Sequence, residues 1–322
     1  MKKVALFVFI GAIAASITGC ATSSPEHQNV PDIRDNDPMI VQLSATARQA
    51  FEAGETGTAI TLYRRALDRA RAMDNSREIG RNAYNLAACL IVLEEWDDAT
   101  RLLAEAEREM LRAGENPGAV TLLAAETARR KGDLREALAL IDRAETRPLS
   151  TVMKGQAYVL RAQIACDRGD AATAQGLLNR ALGLRSRSED AGLSGKIAEV
   201  SGRIAELDEQ WADAGEAFDR EAAAMQRTER SSEMARALER AGANYLKANR
   251  IDAAADRFYR SARSWMAQGY YLDALRVIEQ AAQLEPGDQT DDETVQAIAS
   301  LFEEIRRSLE TQTRADNGRP GE

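Results

Sequence analysis

From Val41 onward the chain repeats a short motif: a small or polar turn, an alanine, a bulky apolar residue four positions on, then another alanine. It first appears as Ala59, Tyr63 and Ala66, and returns as Ala99, Leu103 and Ala106, then as Ala137, Ile141 and Ala144. Ala174, Leu178 and Ala181 follow, then Ala214 with Phe218 and Ala254 with Phe258. The leading alanines are 40, 38, 37, 40 and 40 residues apart. A period of this length marks a stack of supersecondary units, each too small to bury its apolar face alone. Each unit reads as two antiparallel helices, with alanines where backbones approach and a large side chain filling the gap beside them. First helices carry their own signature, clearest in Leu86-Ala87 with Leu90 and in Ala241-Gly242 with Tyr245. After the sixth unit the alanine returns early, at Ala274, which predicts a helix from Tyr271 to Leu284. A last helix starts at the capping box Thr290-Asp-Asp-Glu293 and runs to about Glu310. It carries Val295, Ile298, Leu301, Phe302 and Ile305 on one face, and a stack needs such a closing piece. Pro117, Pro148 and Pro286 fall at predicted helix boundaries, where proline is tolerated.

The repeat resembles the tetratricopeptide (TPR) family over nearly all of residues 40–285. The resemblance implies an all-α protein, an α-solenoid of about six TPR-like hairpins with a C-terminal capping helix. The expected layout is a solenoid over 39–285, a capping helix over 286–311 and a disordered tail over 312–322. One feature departs from the family: its usual period is about 34 residues, so the helices here must be longer.

The N-terminus begins Met1-Lys2-Lys3 and continues as an apolar run from Val4 to Ile17, the pattern of a secretory signal. Ile17-Thr18-Gly19-Cys20 resembles the lipobox of bacterial lipoproteins. That resemblance implies a signal peptide over 1–19, cleavage before Cys20 and lipidation of its sulfur and new amino group. Ala21 after the cysteine implies the periplasmic face of the outer membrane, with residues 20–38 as a flexible tether. Two or three acyl chains hold a domain on a bilayer where one does not.

Apolar residues make up 44% of the 322, which excludes a disordered chain, and the sequence is acidic, with 42 basic against 51 acidic side chains. Loss of Lys2 and Lys3 with the signal leaves a net charge of −11, which argues against nucleic-acid binding. The single histidine, His27, lies in a Ser/Pro-rich stretch, so no histidine triad or multi-histidine metal site is available. Cys89 and Cys166 read as small buried residues and are expected to be free. Glu94-Glu95, Asp97-Asp98 and Asp291-Asp292 read as solvated turn and cap residues. Gly192-Leu-Ser-Gly195-Lys196 fails as a phosphate loop, having Asp190 where the motif wants glycine and Ile197 where it wants Ser or Thr. No catalytic residue, cofactor or metal site is therefore expected, and the chain reads as a non-enzyme.

The expected function lies on a surface. In TPR arrays the concave groove is lined by one face of the first helices, where peptides or partner helices bind. Register places Tyr84 and Asn85 there in the second unit, Arg129 in the third and Gln163 in the fourth. Arg203 follows in the fifth unit, and Arg236 and Arg240 in the sixth. Asn85 matches an asparagine of the family's carboxylate clamp, but Ser44 and Arg48 stand where that clamp has Lys and Asn. The groove should shade from neutral to basic, favouring an envelope protein or peptide with an acidic feature. The expected role is a membrane-anchored periplasmic scaffold; relatives of this general kind serve outer-membrane assembly, pilus assembly and control of peptidoglycan enzymes. The alternative is a ligand-responsive sensor or solute-binding module reported by Trp96, Trp211 and Trp265.

Overall fold

In the C-terminal half, helices of 17 residues alternate with turns of three, which is the origin of the 40-residue step. The computed structural model describes residues 37–185, 191–284 and 292–317. Ile17–Cys20, read as resembling a lipobox, most of the expected tether and Pro286 lie outside the described residues, as do the first two residues of the expected Thr290 capping box. Among the described residues there are fourteen α-helices and no strand. They are α1 (Pro38–Glu52), α2 (Thr56–Ala72), α3 (Ser76–Val92), α4 (Trp96–Arg112), α5 (Gly118–Arg130) and α6 (Leu134–Glu145). Then follow α7 (Thr151–Asp167), α8 (Ala171–Arg185), α9 (Ala191–Leu207), α10 (Trp211–Arg227), α11 (Ser231–Lys247) and α12 (Ile251–Ala267). The chain closes with α13 (Tyr271–Ala282) and α14 (Asp292–Asn317). The architecture is an α-solenoid of TPR-like hairpins, divided into two compact units at Met153 and Lys154.

Turn chemistry sets where each helix stops. At ten described helix ends one residue takes positive φ, and the next residue's N–H reaches back to the carbonyl five positions earlier, at 2.8–3.0 Å. This is the Schellman closure, which satisfies carbonyls the helix leaves open. Glycine supplies the left-handed residue at five of these ends (Gly54, Gly114, Gly132, Gly169, Gly269), and Asp74, Glu94, Glu209, Glu229 and Asn249 supply it at the others.

All six repeat alanines, Ala59, Ala99, Ala137, Ala174, Ala214 and Ala254, are completely buried on second helices. Their bulky companions are buried too, with Ile141, Phe218 and Phe258 at zero exposure. In the first unit a continuous core joins Ile40, Tyr63, Leu67, Ile79, Leu86 and Leu103. In the second, one core forms around Leu178, Leu193 and Ile204, and a larger one around Phe218, Tyr245, Phe258 and Trp265. The capping helix α14 buries Ile298, Leu301 and Ile305 in the larger core, where Val277 and Ile278 of α13 meet them. Three expectations shift. Val295, counted on the packed face, is 40% exposed, and α14 runs to Asn317 rather than ending near Glu310. Pro38, assigned to the tether, is the first residue of α1, where its missing N–H costs nothing.

Candidate functional site: the first-helix faces

Side chains one repeat apart are brought opposite each other, so the polar residues of the first helices meet across neighbouring hairpins. In the first unit Ser44 of α1 donates to Asn82 Oδ1 of α3 at 2.7 Å, and Asn82 Nδ2 donates to the Glu78 carbonyl at 2.9 Å. Asn82 is almost fully buried, and its place in the sequence gives the reason: it lies one turn before Leu86 on the side facing α1. Tyr84 and Asn85, the residues read from register, are only half-buried. Desolvation pushes the Tyr84 phenol up to about 12. Arg129 and Arg130 of α5 both bind the buried carboxylate of Glu126, with Arg129 contributing two bonds of 3.0 Å.

The second unit carries a longer ladder. Gln163 of α7 donates to Glu199 of α9 at 2.9 Å, and Arg203 of α9 reaches Asp167 of α7 at 2.6 Å. One hairpin on, Glu206 of α9 accepts from Arg240 at 3.1 Å and from Asn244 at 2.8 Å, both on α11. Arg276 of α13 binds Glu239 of α11 with both guanidinium nitrogens. The Arg240 guanidinium also lies over the Phe218 ring at 3.8 Å, and Arg236 over Trp265 at 5.5 Å.

Gln163, Arg203, Arg236 and Arg240 thus share the second unit, while Tyr84, Asn85 and Arg129 belong to the first. The expectation of a basic groove needs correction. Arg203 and Arg240 are each taken up by a carboxylate that the repeat length sets on the preceding first helix, and Arg129 by Glu126 one turn earlier on its own helix. Of the basic residues read from register, these three are engaged within the protein. One charged group of this region escaped the sequence reading: Glu221, on the second helix α10, whose Oε2 is sealed from solvent with no hydrogen-bond partner. Burial, reinforced by the nearby Glu199, holds its carboxyl well above the usual carboxylate range.

The residues weighed for chemistry fall into the framework. Cys89 is a buried, free thiol pushed up to about 12 by burial, and Cys166 is buried on α7. Such a thiol is not nucleophilic. Asp97 and Asp98 open α4, and Gly192–Lys196 lies within the first turns of α9. Among the described residues no group of three or more His, Cys, Asp or Glu is placed to hold a metal ion, and no helix is long and apolar enough to cross a membrane.

No protein-family model matches the chain, and no curated protein is similar to it in sequence. Solved structures are similar in fold. A Rap protein complexed with competence and sporulation factor superposes with a TM-score of 0.56 at 12% identity, covering 86% of this chain and 76% of that one. Aspartyl phosphate phosphatase F from Bacillus subtilis does so with a TM-score of 0.50 at 12% identity, over 85% and 95% of the two chains. A signal-transduction ATPase with numerous domains from Pyrococcus horikoshii, bearing a tetratricopeptide repeat sensor, gives 0.48 at 14% identity. It is matched over 80% of this chain, which spans only 42% of that protein. The fold is that of TPR-like helical-repeat solenoids.

Proposed function

We propose that this protein is a non-enzymatic adapter of the bacterial envelope, lipid-anchored through Cys20 at the periplasmic face of the outer membrane, and that it binds an envelope protein or peptide on its first-helix faces. The observation that carries the reading is the polar ladder of the second unit. Gln163, Glu199, Arg203, Asp167, Glu206, Arg240 and Asn244 are fixed in place before any ligand arrives. Side chains ordered in advance spare a ligand the entropy of ordering them. The Rap structure, in which a solenoid of similar fold is complexed with a factor, supports the same reading by analogy of fold. The lipobox Ile17–Cys20 supports the anchor, and anchoring would act by raising the partner's effective concentration at the membrane. The test is crosslinking in intact cells, purification of the full-length protein with whatever is bound, and the same with Cys20→Ala. A dominant envelope partner that weakens with the variant is expected. Equal recovery of that partner with Cys20→Ala would remove the anchor from the account, and no partner in either sample would remove the adapter.

A further inference from the structure

The last hairpin of the second unit, α13 with α14, lacks the polar outer face that closes a repeat array. Its residues can be set against those 40 positions earlier on α11 and α12, where a further hairpin does follow. Ala255 and Ala262 of α12 are buried in one core with Ala274, Val277 and Ile278 of α13. Their counterparts on α14 are larger and barer: Val295 is 40% exposed and Phe302 only partly buried. Ser232 and Ala235 of α11 are buried, whereas their counterparts on α13 are Leu272, 74% exposed, and Leu275, partly buried. Glu239 of α11 is bound by both guanidinium nitrogens of Arg276. Its counterpart Glu279 is exposed and has no ion pair among the described residues. Register therefore sets Leu272, Leu275, Glu279, Val295 and Phe302 on the face where another hairpin would pack. Scattered apolar residues at a surface are ordinary, but four on one face mark a contact surface. Beside them the exposed Arg306 of α14 lies over the Phe302 ring at 5.7 Å. It pairs at 3.7 Å with Glu303, one turn earlier, in an exposed ion pair of little strength.

We infer that this face joins two copies of the chain end to end about a two-fold axis. An axis parallel to the helices lays α13 of one copy on α14 of the other, and the same contact is made twice. Leu272 and Leu275 then meet Val295 and Phe302 of the second copy. Glu279 gains the guanidinium that its counterpart Glu239 already has, supplied by Arg306 of the second copy. The charges are what choose this occupant. The face carries an unpaired acid on one helix and a weakly held base on the other, so it is complementary to itself. A helix from an unrelated protein would have to bring both opposite charges in the right places, whereas a second copy brings them by symmetry. The surface stands apart from the ladder of α7, α9 and α11, and the inference does not rest on the adapter reading.

The test is sedimentation equilibrium of the full-length protein in a density-matched detergent. Wild type is compared with Leu272→Asp, with Arg306→Glu, and with the exchange of Glu279→Arg and Arg306→Glu together. All three positions are exposed, and an aspartate in the first turn of α13 suits the helix dipole, so the fold should survive. Circular dichroism checks that it does. The wild type should sediment as a dimer, and Leu272→Asp and Arg306→Glu should each raise its dissociation constant about tenfold or more. The exchange should bring that constant back to within about threefold of wild type. In intact cells, a photoreactive amino acid at position 272 should give an adduct of twice the chain's mass. A monomer at every concentration, a dimer indifferent to Leu272→Asp, or an exchange that restores nothing would overturn the inference. An adduct from 272 to a different protein, or to another segment of the same chain, would overturn it too and name what covers the face instead. None of these outcomes bears on the adapter reading, which stands or falls with partner recovery in the Cys20→Ala comparison.

Discussion

Gly202 and Gly242 stand one repeat apart, each pressed against the ring that follows its repeat alanine. A Cβ on Gly202 would fall 2.5 Å from two atoms of Phe218, and one on Gly242 would fall 2.9 Å from Phe258. Both rings are fully buried and cannot retreat. Helix propensity alone favours alanine over glycine by about 1 kcal/mol, whereas overpacking a dense core costs about 1–3 kcal/mol. Packing wins, so Gly202→Ala should lower the melting temperature. Gly176, inside α8 with nothing within 4 Å of its Cβ position, is the control: Gly176→Ala should raise it. The five non-glycine residues at positive φ offer a second check. Glu209, at φ 56°, bears a conformation that glycine adopts freely, and Glu209→Gly should stabilise by about 0.5–1 kcal/mol in thermal unfolding. Sequence showed the Ala241-Gly242 pair but not its twin, because Ser201-Gly202 lacks the alanine that made the first one visible.

Between helices, the repeat spacing converts single side chains into braces. Arg257 of α12 grips Asp219 of α10 with two bonds of 2.9 and 2.8 Å, and the buried Tyr245 hydroxyl of α11 donates to the same carboxylate at 2.8 Å. Asp219→Ala should leave the Tyr245 hydroxyl without its acceptor and Arg257 with Asp256 alone, and cost roughly 1–3 kcal/mol in denaturant unfolding. Acid acts on a different brace. The Arg69 guanidinium beside Asp37 holds that carboxyl below its ordinary range, and the same side chain caps α1. A lowered folded-state pKa gives stability that is present above the unfolded value of 3.8 and is lost as pH falls through the folded one. Asp37→Asn should therefore flatten the acid limb of the stability curve. Glu221 has the opposite sign. Its raised folded-state pKa gives stability that is complete below the unfolded value of 4.5 and fades as pH rises through the folded one, so Glu221→Gln should hold its melting temperature better at higher pH. These braces were only half legible in the sequence. Period and amphipathic face place Gln163, Arg203 and Arg240 on first helices, but which acid each one meets depends on rotations of a fraction of a helical turn. Asn82, which register did not single out, is the asparagine buried against Ser44, while Asn85 stays half-buried on the same helix. Glu221 was missed because it sits on a second helix, outside the face the family pattern directs attention to.

At the scale of the whole molecule, the fold was written plainly in the alanine period, since six positions chosen by spacing alone are six positions of zero exposure. A function resting on surface leaves no such mark, because surface residues are constrained only by a partner the sequence does not contain. The account's central claim is that the partner engages first-helix residues of the second unit. The most direct measurement is site-specific photo-crosslinking in intact cells, with a photoreactive amino acid at Lys196 or Arg203 on α9, and at the exposed Glu216 on α10 for comparison. The account predicts one discrete crosslinked species from positions 196 and 203 and none from 216. Adducts from 216 alone would contradict it and move the binding face to the second helices.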